Sequence, residues 1–373
     1  MIIKHSKDNS FKLPAIGQGM GEYPWDDSQI SVIRAGIDLG MNLIDTAEEY
    51  DRGRSEEIVG KAVKGIRDKA VLSTKFSPRH NSSDEVSKAA EGSLRRLGTD
   101  HIDLYQIHWP NPSIPLEETL AAMERLVKDG KVRFIGLGNS YLGEVKRAGQ
   151  LLKNNRIASL QVEYNLFDRI IEKEILPYCE ANDVFIIGYS PLDKGRIGDG
   201  PEQKKLVLDL AKKYGKTPAQ IALRWLIAKK PVVVIPKAGS LKHLQENAAA
   251  ADFDLDPKDQ EVIGRVFLQP EKDVLPSRIK VTVQGEGNRK VYQTIEQARE
   301  NRLGYVPGPA ELAENLKAEK NVKPVRLVRT SGQYDYELVE GRIRYWAWVL
   351  AHGDRPIPSY IRQDWNSGGK ASK

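Results

Sequence analysis

Three short apolar segments that each end in an ionisable side chain limit most strongly what this chain can fold into. Segment 42–44 is followed by a carboxylate and then by a phenol, segment 70–74 by an amine, and segment 102–107 by an imidazole. In chain order the four residues are Asp45, Tyr50, Lys75 and His108. Functional side chains of β/α barrels lie at strand ends. We therefore expect these four to meet at one end of a parallel barrel.

Eight short apolar segments alternate with amphipathic helical segments, and parallel strands need such crossover helices. The predicted strands are 15–19, 42–44, 70–74, 102–107, 134–137, 159–162, 184–187 and 232–235, and the helices are 28–39, around 56–59, 83–97, 116–129, and near 141–153, 169–181 and 217–228. This α/β pattern predicts a (β/α)8 TIM barrel. A doubly wound sheet would alternate similarly, but the glycines of 17–21 lack GxGxxG spacing and no helix follows at once.

The chain of 373 residues is longer than a barrel of about 250 residues, so a second domain is expected. We assign the barrel to 1–267, and a linker with two prolines and no periodicity to 268–278. A small α+β domain follows at 279–365, and the tail 366–373 is expected to be disordered. In the second domain we predict a strand at 279–283, a helix at 310–317, a hairpin of 325–328 with 336–339, and a helix between Gly341 and Gly353.

The composition, with 40% hydrophobic and 29% charged residues, is typical of a soluble protein. No segment approaches the roughly 20 apolar residues of a membrane helix, so no membrane partner is expected. Cys179 is the only cysteine, and the N-terminus lacks the apolar core of a signal peptide, so we expect a cytoplasmic location. The net charge of +6 lies in 276–373, where 17 Lys and Arg face 11 Asp and Glu. This excess suggests an anionic partner, although ordinary solvation explains it equally well.

The four residues stand within longer sequence motifs: NLIDTAEEY, VLSTK, LYQIHWP, IGLGNS, LQVEYN, GYSPL and VIPKAGS. With these motifs in this order, residues 3–267 resemble the aldo-keto reductases. The resemblance implies reduction of a small carbonyl substrate with NADP(H) and no metal. A phenol has a pKa near 10 and is a weak acid at neutral pH, but a neighbouring ammonium lowers it. The resemblance thus makes Tyr50 the proton donor, Lys75 its activator, Asp45 the partner of Lys75, and His108 a hydrogen-bond donor to the carbonyl oxygen.

The same resemblance implies the cofactor contacts. They are Gly19, Met20, Asp45, Asn139, Gln161, Tyr189, Ser190, Leu192, Lys194, Ile235, Lys237, Ser240, His243, Glu246 and Asn247. Arg196 is an alternative to Lys194 for covering the phosphates. Two positions depart from the family: Gly138 precedes Asn139 where a serine is usual, and His243 stands where an arginine is frequent. Tyr23, Trp25, His108 and Trp109 are expected to line the substrate pocket.

The C-terminal segment 306–361 resembles the ParB/sulfiredoxin-like fold through ELAENLKAEKNVKPVRLVR, YELVEGRIRYWAWVLAHG and IPSYI. This resemblance implies a nucleoside phosphate bound at a helix start, where Gly341, Arg342 and Arg344 stand. The domain has no cysteine, which argues against sulfinic-acid repair, and no helix-turn-helix follows, which argues against sequence-specific DNA binding. A nucleotide-binding or phosphotransfer module and a domain that merely docks on the barrel both remain open.

Two functions follow from these patterns. The first is an NADPH-dependent carbonyl reductase. The alternative is an NADP-binding redox sensor that acts through a C-terminal domain specific for nucleotide or nucleic acid.

Overall fold

The computed structural model describes residues 1–21, 24–195, 197, 201–268, 271–282, 290–318 and 322–362. The chain divides into two compact units. The first comprises Met1–Gly198 and Glu202–Leu268, and the second comprises Asp199–Pro201 and Gln269–Lys373. Within the described residues no helix has the length and apolar character needed to cross a membrane.

The first unit begins with an antiparallel hairpin of β1 (Ile3–His5) and β2 (Lys12–Pro14), which the sequence did not suggest. The ring of Phe11 stacks on Phe134 with centroids 4.1 Å apart and meets Phe185 edge-on at 5.6 Å. Both of these partners lie near the beginnings of barrel strands. The hairpin therefore closes the N-terminal end of the barrel and leaves the opposite end for the functional side chains.

Eight parallel strands form the sheet of the first unit, in the order of the chain. They are β3 (Gln18–Gly19), β4 (Leu43–Asp45), β5 (Val71–Phe76), β6 (Ile102–Ile107), β7 (Val132–Gly138), β8 (Ile157–Glu163), β9 (Phe185–Tyr189) and β10 (Val232–Val234). A parallel bridge from Ile16 to Val234 joins the first edge to the last. The predicted (β/α)8 barrel is thereby confirmed.

Helices follow the strands and cover the sheet with their apolar faces. They are α1 (Gln29–Asp38), α2 (Arg54–Val63), α3 (Ser83–Leu97), α4 (Leu116–Lys128), α5 (Leu142–Leu151), α6 (Ile175–Ala181), α7 (Pro201–Tyr214), α8 (Pro218–Ile227), α9 (Leu241–Ala248) and α10 (Pro257–Val266). The helices α7, α9 and α10 were not predicted. The predicted helix 169–181 is shortened to α6 because Pro177 is tolerated only in a first helical turn. The predicted strand 15–19 keeps only its last two residues as β3, since its earlier residues bond to the β10 side instead.

Within its described residues, the second unit contains a mixed five-stranded sheet and three helices. Its elements are β11 (Lys272–Val274), β12 (Ile279–Val281), α11 (Ile295–Arg299), α12 (Pro309–Ala318), β13 (Val325–Arg329), β14 (Tyr336–Glu340), α13 (Arg342–His352) and β15 (Ile357–Arg362). The sheet order is β11-β15-β13-β14-β12. The predicted hairpin is confirmed by the antiparallel pairing of β13 with β14. Tyr292, Tyr345 and Trp346 belong to the buried cluster of this unit.

The segment predicted as a linker, 268–278, differs in the structure. Lys272–Val274 forms β11 and pairs antiparallel with β15, and Pro276–Arg278 forms a 3-10 turn. The partner strand lies more than eighty residues later in the chain. A three-residue edge strand with so distant a partner carries no local periodicity, and this is why the sequence did not indicate it. The predicted tail 366–373 lies outside the described residues.

Candidate active site

Asp45 closes strand β4 and is 2% exposed. Its Oδ2 accepts from Lys75 Nζ at 2.7 Å. Its Oδ1 accepts from Ser73 Oγ at 2.8 Å, from Gln161 Nε2 at 2.8 Å and from Gln106 Nε2 at 3.3 Å. Four side-chain donors thus bond to the buried carboxylate of Asp45. Such hydrogen bonds replace the water that a buried charged group has lost.

Lys75 is fully buried near the end of β5. Its Nζ donates to Asp45, to Thr46 O at 2.6 Å and to Tyr50 Oη at 3.5 Å. Burial by itself lowers the pKa of Lys75, but the charges and hydrogen bonds of Asp45 and Tyr50 outweigh it and raise that pKa above its usual value. The site therefore favours an ammonium charge beside a phenol.

Tyr50 and His108 come from different strand ends and meet edge to face, with ring centroids 5.6 Å apart and planes at 86°. Tyr50 sits in a tight turn whose next three residues, 51–53, all have left-handed φ angles of 49°, 56° and 89°. The indole of Trp109, 42% exposed, lies 6.5 Å from the imidazole of His108. The structure thus brings together Asp45, Tyr50, Lys75 and His108 at the open end of the barrel, with Trp109 beside them.

The side chains predicted to hold a carboxamide lie on the next strands around the barrel. Asn139 adopts φ 53°, donates from Nδ2 to His108 O at 3.0 Å, and accepts from Tyr189 Oη at 2.9 Å. Gln161 is buried and donates to Asp45. A Cβ at Gly138 would lie 2.7 Å from the carbonyl oxygens of Ile107 and His108. The backbone around Gly138 therefore has no room for a side chain in this structure.

A second group of predicted cofactor residues surrounds the start of α9. Ser240 caps this helix by accepting from His243 N at 3.3 Å. Lys237 precedes the cap, and partial burial lowers the pKa of its ammonium. His243 is exposed, Glu246 is half-buried and Asn247 is buried on the same helix. A lysine beside a helix N-terminus is a donor set suited to an anionic phosphate group.

The remaining predicted cofactor positions lie in loops that join these two groups. Ser190 adopts φ 48° directly after β9, and Leu192 is half-buried in the same loop. Gly19 N donates to Pro236 O at 3.2 Å, and Met20 N donates to Asp45 O at 2.8 Å. Ile235 N donates to Gly188 O at 3.1 Å. The ends of neighbouring barrel strands therefore carry side-chain amides, an aromatic ring and, beside the start of α9, a lysine. These groups fit a nicotinamide dinucleotide.

The predicted substrate residues do not all contact the same groups. Trp25 is 5% exposed, donates from Nε1 to Gly21 O at 3.0 Å, and has Lys237 Nζ 5.7 Å from its ring centroid. It therefore contacts a residue predicted for the cofactor phosphate. Tyr23 and Arg196 lie outside the described residues, as does the side chain of Lys194.

Sequence reasoning missed four contributors to the site: Thr46, Glu49, Ser73 and Gln106. Ser73 and Gln106 each precede a predicted residue by two positions on a strand, and alternate positions of a strand face the same side. This alternation could have identified Ser73 and Gln106 from the sequence. Glu49 binds Nδ1 of His108 at 2.8 Å from a loop, and no local pattern links the two.

In the second unit, Gly341 has φ 92° and directly precedes α13. Arg342 and Arg344 lie in the first turn of that helix. Arg344 Nη1 donates to the carbonyl oxygens of Lys323 at 2.6 Å and Pro324 at 3.0 Å. Its guanidinium thus ties the helix start to the segment before β13.

Comparison with known proteins places the first unit in a family. The family model described as Aldo/keto reductase family matches residues 15–266. Methylglyoxal reductase YeaE of Escherichia coli (strain K12) is 38% identical over 275 residues, which cover 72% of this chain and 96% of that protein. Aldo-keto reductase YhdN of Bacillus subtilis (strain 168) is 34% identical over 295 residues, covering 68% and 87%.

Among solved structures, an aldo-keto reductase from Klebsiella pneumoniae in complex with NADPH superposes with a TM-score of 0.66 at 38% identity, covering 72% of this chain and 96% of that one. The family match, the level of identity and the barrel agree with the resemblance found in the sequence. The chain belongs to the aldo/keto reductase family.

Proposed function

We propose that this protein reduces an aldehyde or ketone to an alcohol with NADPH, and that Tyr50 donates the proton. The observation that carries the proposal is the series Asp45–Lys75–Tyr50, in which Asp45 and Lys75 are buried and Nζ of Lys75 lies 2.7 Å from the carboxylate and 3.5 Å from the phenol oxygen. An ammonium at that distance stabilises the phenolate that remains after proton transfer. Tyr50 thereby becomes a usable acid near neutral pH.

Asp45 keeps the ammonium of Lys75 charged and fixed, and the donors Ser73, Gln106 and Gln161 keep Asp45 in place. His108 stands edge-on to Tyr50 and donates a hydrogen bond to the substrate oxygen, as a group that stabilises developing negative charge. Trp109, exposed beside His108, is the nearest wall for a substrate.

NADPH, when bound, supplies the hydride that the carbonyl carbon accepts. Asn139 and Gln161 are the amides that would hold its carboxamide, and Tyr189 supplies the ring for the nicotinamide. Lys237 and Ser240, at the start of α9, would hold the 2′-phosphate. The NADPH complex of the Klebsiella pneumoniae relative supports this choice of cofactor.

For the substrate, we propose small reactive carbonyl compounds, with 2-oxoaldehydes as the first to test. The support is the Escherichia coli relative, named a methylglyoxal reductase, at 38% identity over nearly its full length. The test is a panel of aldehydes and ketones in which loss of NADPH absorbance gives kcat/KM for each. Tight NADPH binding without turnover of any carbonyl would overturn the reductase and favour the NADP-binding redox sensor.

For the second unit, we propose a narrower function, the binding of a nucleoside phosphate at the start of α13 in a ParB/sulfiredoxin-like domain. The support is a glycine with positive φ directly before an eleven-residue helix, with Arg342 in its first turn. Free N–H groups and the helix dipole favour a phosphate there. The competing interpretation is structural, because Arg344 already donates to two backbone carbonyls.

Calorimetry on the full chain separates these interpretations. Saturating NADP is included so that the barrel site is occupied, and ATP, ADP or CTP is titrated. Binding that Arg342→Ala abolishes, and that the control Arg355→Ala at an exposed position retains, supports the nucleotide site. Absence of heat with all three nucleotides overturns it.

A further inference from the structure

Glu49 is a charged residue beside the reacting groups to which the proposed mechanism gives no role. It directly precedes Tyr50, and its side chain is 42% exposed. One carboxylate oxygen lies 2.8 Å from His108 Nδ1, and the other accepts from Ser77 Oγ at 3.0 Å. Both oxygens of Glu49 are therefore held, and one of them is held against the imidazole that faces Tyr50.

This contact decides where the imidazole carries its proton. Burial alone would raise the pKa of Glu49, but the hydrogen bond and the charge of His108, with Ser77 and His80, lower it below its usual value. Glu49 is thus a carboxylate at neutral pH, and a carboxylate can only accept. His108 Nδ1–H must therefore be the donor. A neutral ring with its proton on Nδ1 has a lone pair on Nε2 and cannot donate from that nitrogen.

The other charged and titratable groups around His108 do not replace this contact. Tyr50 faces the ring edge-on, and the ammonium of Lys75 lies behind Tyr50, 4.9 Å from the centre of its ring. His80, on the segment after β5, pairs with Glu48 at 2.7 Å. Among the residues that the structure describes, Glu49 is thus the carboxylate in hydrogen-bond contact with His108.

We propose that Glu49 is a positioning residue that fixes the proton of His108 on Nδ1, so that the charged imidazolium is the form that donates from Nε2 to the substrate oxygen. This inference rests on the proposed carbonyl reduction. The hydride of NADPH and the proton of Tyr50 account for both hydrogens that the carbonyl gains. His108 therefore contributes a hydrogen bond from a positive charge and keeps its own proton through the reaction.

The pH profile of kcat/KM for Glu49→Gln tests the inference. In the wild type, kcat/KM is expected to fall as the pH rises, because a neutral ring that keeps its proton on Nδ1 cannot donate from Nε2. In Glu49→Gln the amide NH2 can donate to Nδ1, which allows a neutral ring with its proton on Nε2, so this fall is lost. Parallel profiles for the two proteins would overturn the inference.

The control is Glu48→Gln, which changes the neighbouring glutamate without touching His108. Glu48 accepts from Ser77 N at 2.6 Å and pairs with His80. This variant is expected to keep the wild-type slope. If kcat/KM of Glu48→Gln also no longer falls with rising pH, the effect comes from the overall charge of the loop. The assignment to Glu49 is then wrong.

Nitrogen NMR of the histidine side chains gives a reading that does not depend on turnover. The signal of His108 is identified by its loss in His108→Gln. The wild type at high pH is expected to show Nδ1–H, and Glu49→Gln to show Nε2–H. A wild-type ring protonated on Nε2 overturns the inference even where carbonyl reduction stands. Failure to reduce any carbonyl overturns the proposed function but leaves this measurement intact.

Discussion

The two units of this chain both bury charged and polar side chains, but the hydrogen bonds of these side chains lead to different places. In the barrel, the network of Asp45 and Lys75 leads outward to Tyr50, His108 and Glu49, which reach partly exposed positions at the strand ends. In the second unit, Arg326 pairs with Glu340 across β13 and β14 at 2.6 Å, and the side chain of Arg326 is only 3% exposed.

The aromatic residues of the second unit also bond inward. Trp346 Nε1 donates to Tyr292 O at 2.9 Å, and Tyr345 Oη donates to Pro276 O at 3.2 Å. Each of these bonds joins α13 to another segment of the same unit. We call the side chains of Asp45, Lys75, Tyr50, His108 and Glu49 the open network, and the inward bonds of Arg326, Tyr345 and Trp346 the closed network. Buried polar networks rigidify a fold, and titratable groups that reach a cleft are candidates for function. The barrel network thus forms the candidate active site, whereas these bonds of the second unit hold its own segments together.

The largest effect is expected where the barrel network opens. Tyr50→Phe removes the proton donor and is expected to lower kcat by about 100- to 10,000-fold, the range in which general acids contribute. NADPH affinity is expected to stay close to that of the wild type, because the change removes only the hydroxyl. Stopped-flow binding and steady-state rates measure the two quantities. A variant that keeps a tenth of the wild-type kcat would remove Tyr50 from this role.

Lys75→Met tests the same network from its buried end. Loss of the ammonium leaves the Asp45 carboxylate without its closest donor and Tyr50 without its cation. We expect a loss of kcat as severe as in Tyr50→Phe. A variant that folds, binds NADPH and turns over normally would show that the ammonium does not activate the phenol.

The closed network of the second unit is probed by Arg326→Ala. Arg326 is buried, and removing one partner of a buried ion pair costs about 3–5 kcal/mol. We expect the unfolding transition of the second unit to shift to lower denaturant, with kcat/KM of the barrel unchanged. The control is Arg326→Met with Glu340→Leu, which removes both charges and is expected to restore much of the stability. An equal loss of carbonyl reduction in Arg326→Ala and in the double variant would contradict the distinction between the two networks.

The sequence predicted the inner part of the barrel network but missed contacts between distant positions, for a physical reason. Asp45, Lys75 and His108 follow apolar strands, so each is found from a pattern of fewer than ten residues. Their meeting follows from the barrel alone, which places all strand ends together. The contact of Glu49 with His108 joins positions 59 residues apart, and the pairing of β11 with β15 joins still more distant ones. Contacts of that kind depend on tertiary packing and leave no local periodicity.

A smaller effect is expected at the cofactor end of the barrel. Lys237→Ala removes a cation beside the start of α9, and a hydrogen bond to a charged group contributes about 1.5–3 kcal/mol. We expect NADPH to bind roughly ten- to a hundredfold more weakly, while NADH, which lacks the 2′-phosphate, binds nearly as before. Fluorescence titrations with both cofactors give the two constants. Equal losses for NADPH and NADH would exclude Lys237 from the 2′-phosphate site.

The smallest effect comes from a matched pair of helix caps, one in each unit. Thr217 accepts from Gln220 N at 3.3 Å at the start of α8, and Thr294 accepts from Gln297 N at 3.3 Å at the start of α11. The return bonds differ: Gln220 Oε1 accepts from Thr217 N, and Gln297 Oε1 accepts from Gln293 N, both at 2.9 Å. Substitution of such a threonine by alanine costs about 1 kcal/mol.

We therefore expect Thr217→Ala and Thr294→Ala to destabilise the protein by similar amounts but in different transitions. The hydrophobic clusters of the barrel share no residue with that of the second unit in the part of the chain that the structure describes, so each unit has its own core to unfold. Loss of carbonyl reduction follows the barrel during denaturation, and Trp346 fluorescence, isolated by replacing the other tryptophans, follows the second unit. Thr217→Ala is expected to move only the first curve and Thr294→Ala only the second. If either variant moved both curves equally, the two units would unfold in one transition. The closed network would then contribute to the stability of the unit that carries the open network.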